Sequence, residues 1–192
     1  MNGRLMQWMV LTIALGFFAG CSTTEKVENK VGTVVTPKWF PTPPADEKYF
    51  YGVSTATSKD LQLALDKAAM DARVKIGQQV ELRIQALEKK FKEETGAGSD
   101  AQLLQMMTQS AKTVVSTSLS GSRVKDQTFQ NEEGIFRAFA LVEYPVGAVS
   151  QNLLNQIKSN EQMYTRFRAS ETFKEMDGDV SRYEEWKKQQ AQ

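Results

Sequence analysis

The sequence predicts an α+β domain with its elements in the order β-α-α-β-β-α-α. Three observations carry that prediction. An aromatic and β-branched run, Tyr49-Phe50-Tyr51-Gly52-Val53-Ser54, precedes about 35 residues whose apolar positions recur at helical spacing. Two more β-rich runs, Val124–Gln130 and Ile135–Tyr144, flank Asn131-Glu132-Glu133-Gly134, which reads as a four-residue hairpin loop. The chain of 192 residues is 41% hydrophobic, enough for one domain with a real core.

Ahead of the first strand, Met1–Gln7 holds Arg4 and no acid, and Trp8–Phe18 is an apolar run. A membrane-spanning helix needs about 20 apolar residues, so this shorter run reads as a secretory signal over residues 1–20. Ala19 and Gly20 supply the small residues of a cleavage site before Cys21, the only cysteine of the chain. A lone free thiol on an exported protein is an oxidation liability without a partner. The string Phe18-Ala19-Gly20-Cys21 resembles the lipobox of bacterial lipoproteins, with Phe18 where Leu is more usual. That resemblance implies a diacylglyceryl group on the Cys21 thiol and cleavage between Gly20 and Cys21. Ser22 stands where an Asp would favour inner-membrane retention, so the implied destination is the outer membrane.

Residues 21–45 then form a lipidated cysteine, a polar tether and a stiff proline-rich clip, Pro37-Lys38-Trp39-Phe40-Pro41-Thr42-Pro43-Pro44. Trp39 and Phe40 have two readings, an anchor docked on the domain or a hook presented to a partner. Residues 46–176 read as the α+β domain with C-terminal helices, and 177–192 as a charged tail.

Thr57 and Asp60 form a capping-box pattern ahead of the long helix. Its apolar stripe runs Leu61, Leu65, Ala68, Ala72, Ile76, Val80, Ile84, Leu87, Phe91, and Gly96 is placed to stop it. Ala64, Ala68, Ala69 and Ala72 narrow the first half, which lets the helix axis approach a sheet or another helix closely. Ser99 with Gln102 opens a second helix through Leu103, Leu104, Met107, Ala111 and Val114 or Val115, expected to end in the Ser116–Ser122 cluster. The tail supplies Val149, Leu153 and Ile157, then Met163, Phe167, Phe173 and Met176, with Asp177-Gly178-Asp179 as an expected break.

The last strand has one wholly apolar face, Phe136, Ala138, Ala140, Val142 and Tyr144. Its other face, Ile135, Arg137, Phe139, Leu141 and Glu143, is half apolar, too much for contact with water alone. Either another element of the chain, such as the tail helices, or a second subunit is expected to cover it.

The lipobox, Trp39-Phe40, the strand Tyr49–Ser54 and Leu61-Gln62-Leu63-Ala64-x-x-Lys67-Ala68-x-x-x-Ala72-Arg73 together resemble the LPP20-type bacterial lipoprotein family. The resemblance implies a long helix packed across a small three-stranded antiparallel sheet, in a dodecin-like arrangement. It implies envelope lipoproteins, several self-associating, some linked to outer-membrane rings around flagellar motors and others to host-cell interactions. It brings no catalytic residues.

Chemistry is limited by composition. There is no histidine, which removes the commonest general base and metal ligand. No phosphate-binding glycine loop and no Gly-x-Ser-x-Gly elbow occurs. Lys+Arg is 24 against Asp+Glu 23, and loss of Arg4 on cleavage leaves 23 of each, which argues against a nucleic-acid surface. No enzyme, cofactor or metal is expected. The expected function is a non-enzymatic outer-membrane lipoprotein, anchored by lipid, whose partners are itself or other envelope proteins. Its candidate interaction face is Tyr49, Tyr51, Phe139, Leu141, Trp39 and Phe40. The alternative is a small-ligand-binding lipoprotein using the aromatic sheet face around Tyr49, Tyr51 and Phe139.

Overall fold

The computed structural model describes residues 35–96 and 101–190; the expected signal sequence, Cys21, the expected tether to residue 34 and Ser99 lie outside the described residues. The elements run β1 (Tyr49–Ser58), α1 (Leu61–Thr95), α2 (Ala101–Gly121), β2 (Arg123–Glu132), β3 (Ile135–Pro145), α3 (Val146–Lys158), α4 (Glu161–Phe167) and α5 (Glu171–Gln190). The protein is α+β, with one antiparallel sheet in the order β1-β3-β2.

β1 runs four residues further than the aromatic string suggests, through Thr57, so Thr57 takes no part in capping α1. Asp60 alone caps the helix: its backbone is extended and its carboxylate accepts the Leu63 N–H at 2.7 Å. At the other end Gly96, at φ 80°, donates its N–H to the Lys92 carbonyl at 3.0 Å, as a C-terminal glycine should.

The narrow alanine stripe of α1 lies on the apolar face of the sheet. Ala64, Ala68 and Ala72 are fully buried, with Ala138, Ala140 and Val142 of β3 in the same core. Gly52 sits so near the helix that a Cβ there would lie 2.1 Å from the Ala72 carbonyl oxygen. The Ser54 hydroxyl donates to the Ala68 carbonyl from the neighbouring position. Small side chains on both elements therefore set the helix–sheet distance.

α2 returns along the second half of α1, with Leu119 and Val115 beside Gly77 and Thr108 bonded to Glu88. It continues through the Ser/Thr cluster expected to end it. The hydroxyls fold back onto the helix, Thr117 to the Thr113 carbonyl at 2.9 Å and Ser118 to that of Val115 at 2.7 Å, and compete little with it. The hairpin loop is tighter than the expected four residues. Glu132 pairs with Ile135, leaving Glu133 and Gly134 at φ 51° and 86°, as a two-residue loop matched to strand twist requires.

The C-terminal part corrects the sequence reading twice. There are three helices rather than two, and α5 passes through Asp177-Gly178-Asp179 without a break, across the expected start of a charged tail. Asp179 is 7% exposed and accepts from Arg83 at 3.0 Å, Ser150 at 2.9 Å and Arg182 at 2.5 Å. It is thus a buried tie between α5, α1 and α3 and not a turn residue. The helices also join the core on the α1 side, with Phe167 of α4 at 5.3 Å from Phe91, and reach the far face of the sheet where Trp186 of α5 meets Tyr49.

Candidate interaction face

Alternation along β3 sends Phe139, Leu141 and Glu143 to the sheet face away from α1. All three are buried, at 1%, 2% and 2% exposure. The proline-rich clip accounts for Phe139: Pro37 accepts the Phe40 N–H in a turn, and the Phe40 ring meets Phe139 edge-on at 5.1 Å. Trp39 packs on Phe40 at 6.4 Å. Of the two readings of the clip, the anchor is the one seen. Phe139 and Leu141 consequently offer a partner no open surface.

Tyr49 and Tyr51 are only half buried and belong to a different cluster, at the Pro145 end of the sheet. Its centre is the Glu143 carboxylate, which Arg123 meets at 2.6 Å and Lys125 at 2.8 Å. Register places Glu143 between Tyr51 and Arg123, so the three strands bring the groups together. The Lys125 ammonium lies 5.1 Å from the Tyr51 ring and 5.9 Å from that of Tyr49. Trp186 of α5 extends the row, edge-on to Tyr49 at 5.9 Å, stacked on Tyr183 at 5.9 Å and beneath the Arg123 guanidinium. The hydrogen bond to Glu143 raises the Lys125 pKa, keeping it charged, and burial raises that of Tyr49, keeping it a phenol.

Two hollows adjoin this row. One, between Tyr49, Pro145, Gly147 and Trp186, holds about 30 Å³, room for a water and not for a planar ligand. The other is an open cleft of about 330 Å³ between Arg123, Tyr144, Gln151 and Trp186. Among the described residues no group of three or more acidic, cysteine or histidine side chains is placed to hold a metal ion. No helix among them is long and apolar enough to cross a membrane.

Sequence reasoning missed an outward-facing apolar line on α1. Leu63, Met70 and Val74 are 46%, 59% and 46% exposed. Their spacing of seven and four residues continues the seam that α2 fills further along at Gly77. That spacing is visible in the sequence, where the buried stripe of the same helix drew attention away from it. The Trp186–Tyr49 contact had no such signal, because 137 positions separate the pair.

The family model described as LPP20 lipoprotein matches residues 37–143, more than half of the chain. The matched span takes in the clip and the sheet and ends at Glu143, leaving α3, α4 and α5 outside it. No curated protein and no solved structure matches the chain.

Proposed function

This chain belongs to the LPP20 lipoprotein family, and on that premise we propose that it is an outer-membrane lipoprotein, anchored through Cys21, that self-associates or docks into a cell-envelope assembly. A lipoprotein family implies a lipid-anchored envelope protein, and this family is not a known enzyme family. Cys21 is the sole thiol available to carry the lipid. The observation that carries the assembly reading is the exposed line Leu63, Met70 and Val74 on α1. These side chains extend a seam that already packs a helix within the chain, and exposed apolar side chains in line with such a seam suit a protein contact.

The test is crosslinking on intact cells with a photoreactive residue in place of Met70, read by mass spectrometry. Adducts to a second copy or to one recurrent envelope protein are expected. Adducts confined to lipid or water, at native abundance, refute the assembly reading. A second reading, a small-ligand carrier, draws support from the Tyr49–Tyr51–Trp186 row with Arg123 and Lys125 beside it. Native mass spectrometry of the lipidated protein decides it: a stoichiometric copurifying ligand supports the carrier, and a clean mass removes it.

A further inference from the structure

We infer that one end of the domain, the hairpin-turn end, rests on the lipid surface to which the chain is anchored. The inference depends on the lipid-anchor reading above and adds an orientation to it.

Topology gathers four features at this end. Register pairs Ser58, the last residue of β1, with Phe136, one residue past the start of β3, so the Glu133-Gly134 turn and the start of α1 are neighbours. Val35, the first described residue, is fixed here too. Its N–H donates to the Gln130 side-chain oxygen at 3.1 Å, and the Gln130 amide donates back to the Val35 carbonyl. The polypeptide leading to Cys21 therefore enters the domain at the hairpin.

Of the eight large apolar side chains exposed among the described residues, four lie at this end, whereas Met70, Val74 and Leu82 lie along α1 and Val124 pairs with Val142 towards the other end. Val35 is 69% exposed, Phe129 46% and Ile135 43%, and Leu63 in the first turn of α1 is 46% exposed. Phe129 is on the α1 face of the hairpin and Ile135 on the other, so the two flank the turn from both sides. At the opposite, Pro145 end of the sheet, the large aromatic side chains Tyr49, Tyr183 and Trp186 pack on one another.

The occupant follows from the connection. Residues 22–34 number 13, and even fully extended they span at most about 45 Å. Once Cys21 is in a bilayer, Val35 and its apolar neighbours are confined to that layer of solvent at high effective concentration. A weak apolar contact then suffices to hold the end down. Electrostatics does not drive it: Glu132 is neutralised by Arg137 at 2.7 Å, and Lys59 is offset by Asp60 and Glu133. The contact is shallow, with the polar turn among headgroups and Phe129 and Ile135 reaching the acyl boundary, and it persists in high salt.

The test uses the full-length lipidated protein in vesicles of phosphatidylethanolamine and phosphatidylglycerol. With Cys21 acylated, one introduced cysteine accepts one nitroxide label. Lys59→Cys and Ile135→Cys report on the hairpin end. Glu93→Cys reports from about 45 Å along α1, thirty residues beyond Leu63. Several-fold greater collision with oxygen than with a water-soluble nickel complex is expected at both hairpin positions, and the reverse at position 93. Adding Phe129→Ser and Val35→Ser should abolish the difference at Lys59→Cys while leaving the circular dichroism spectrum unchanged. If the protein floats with vesicles yet all three labels favour nickel equally, the docking is overturned and the anchor stands. If it does not float, the anchor reading fails and the orientation with it. Spin–spin broadening at Ile135→Cys would place a second copy there and overturn the lipid contact.

Discussion

Gly52→Ala is the sharpest single test of how α1 meets the sheet. The new Cβ would lie 2.1 Å from the Ala72 carbonyl oxygen, 2.9 Å from its carbon and 3.2 Å from Ile76 Cγ1. Comfortable non-bonded contact is about 3.5 Å, so the oxygen distance falls short by more than 1 Å. The obstruction is helix backbone, which has no rotamer to change. Relief requires α1 to lift from β1, which also weakens the Ser54–Ala68 bond and opens the packing of Ala68 and Ala72 against Ala138 and Ala140. Overpacking of a tight core costs about 1–3 kcal/mol, and a backbone obstruction belongs at the upper end. For a domain of this size, about 3 kcal/mol lowers Tm by roughly 6–12 °C. Thermal unfolding by circular dichroism, with urea titration for the free energy, measures it. A loss below about 0.5 kcal/mol would refute the close approach, and with it the account of the alanine stripe.

The remaining predictions concern other parts of the molecule. Gly178→Ala should stabilise by about 0.5–1 kcal/mol, because residue 178 is mid-helix and a Cβ there meets nothing nearer than Arg182 at 3.6 Å. Destabilisation on urea titration would contradict the continuous α5. Removing both Arg123 and Lys125 as alanines strands the buried Glu143 carboxylate and should cost about 3 kcal/mol, at the low end for a broken buried pair because truncation admits water. Adding Glu143→Met should recover most of that loss, and failure to do so would show that the cations act through packing instead. The hydrogen bond from Lys90, with Arg83 nearby, lowers the Glu175 pKa below its ordinary 4.5. A carboxylate lowered on folding contributes stability above about pH 4.5, and that contribution disappears as pH falls through its folded value. Glu175→Gln should therefore flatten the acid limb of a stability–pH profile, and an unchanged limb would remove Glu175 from the account.

Much of the fold is legible in the sequence where the signal is local. The 3.6-residue stripe fixes α1 to within a residue at its C-terminus, because Gly96 both breaks the pattern and adopts the positive φ that glycine favours. Local signals also mislead when a distant partner overrides them. Asp177-Gly178-Asp179 has turn composition, yet Arg83 and Ser150 hold Asp179 inside a helix from 96 and 29 positions away. The half-apolar face of β3 correctly announces that something covers it. The sequence does not say that the cover over Phe139 is a ring of the proline-rich clip, since nothing local ties Phe40 to Phe139. The proposed interaction face divides for the same reason: Tyr49 and Tyr51 join a cationic and aromatic row, while Phe139 and Leu141 are interior.

The central claim is that Cys21 ties a folded domain to the membrane, and Cys21→Ala tests it most directly. Cells carrying either form are labelled with a clickable palmitate analogue and fractionated, and the domain is checked by its thermal unfolding. The account predicts an acylated native protein in the outer-membrane fraction and an unacylated variant in the soluble fraction with the same Tm. A Cys21→Ala protein that stays with the membrane, or a native protein that takes up no label, would contradict it.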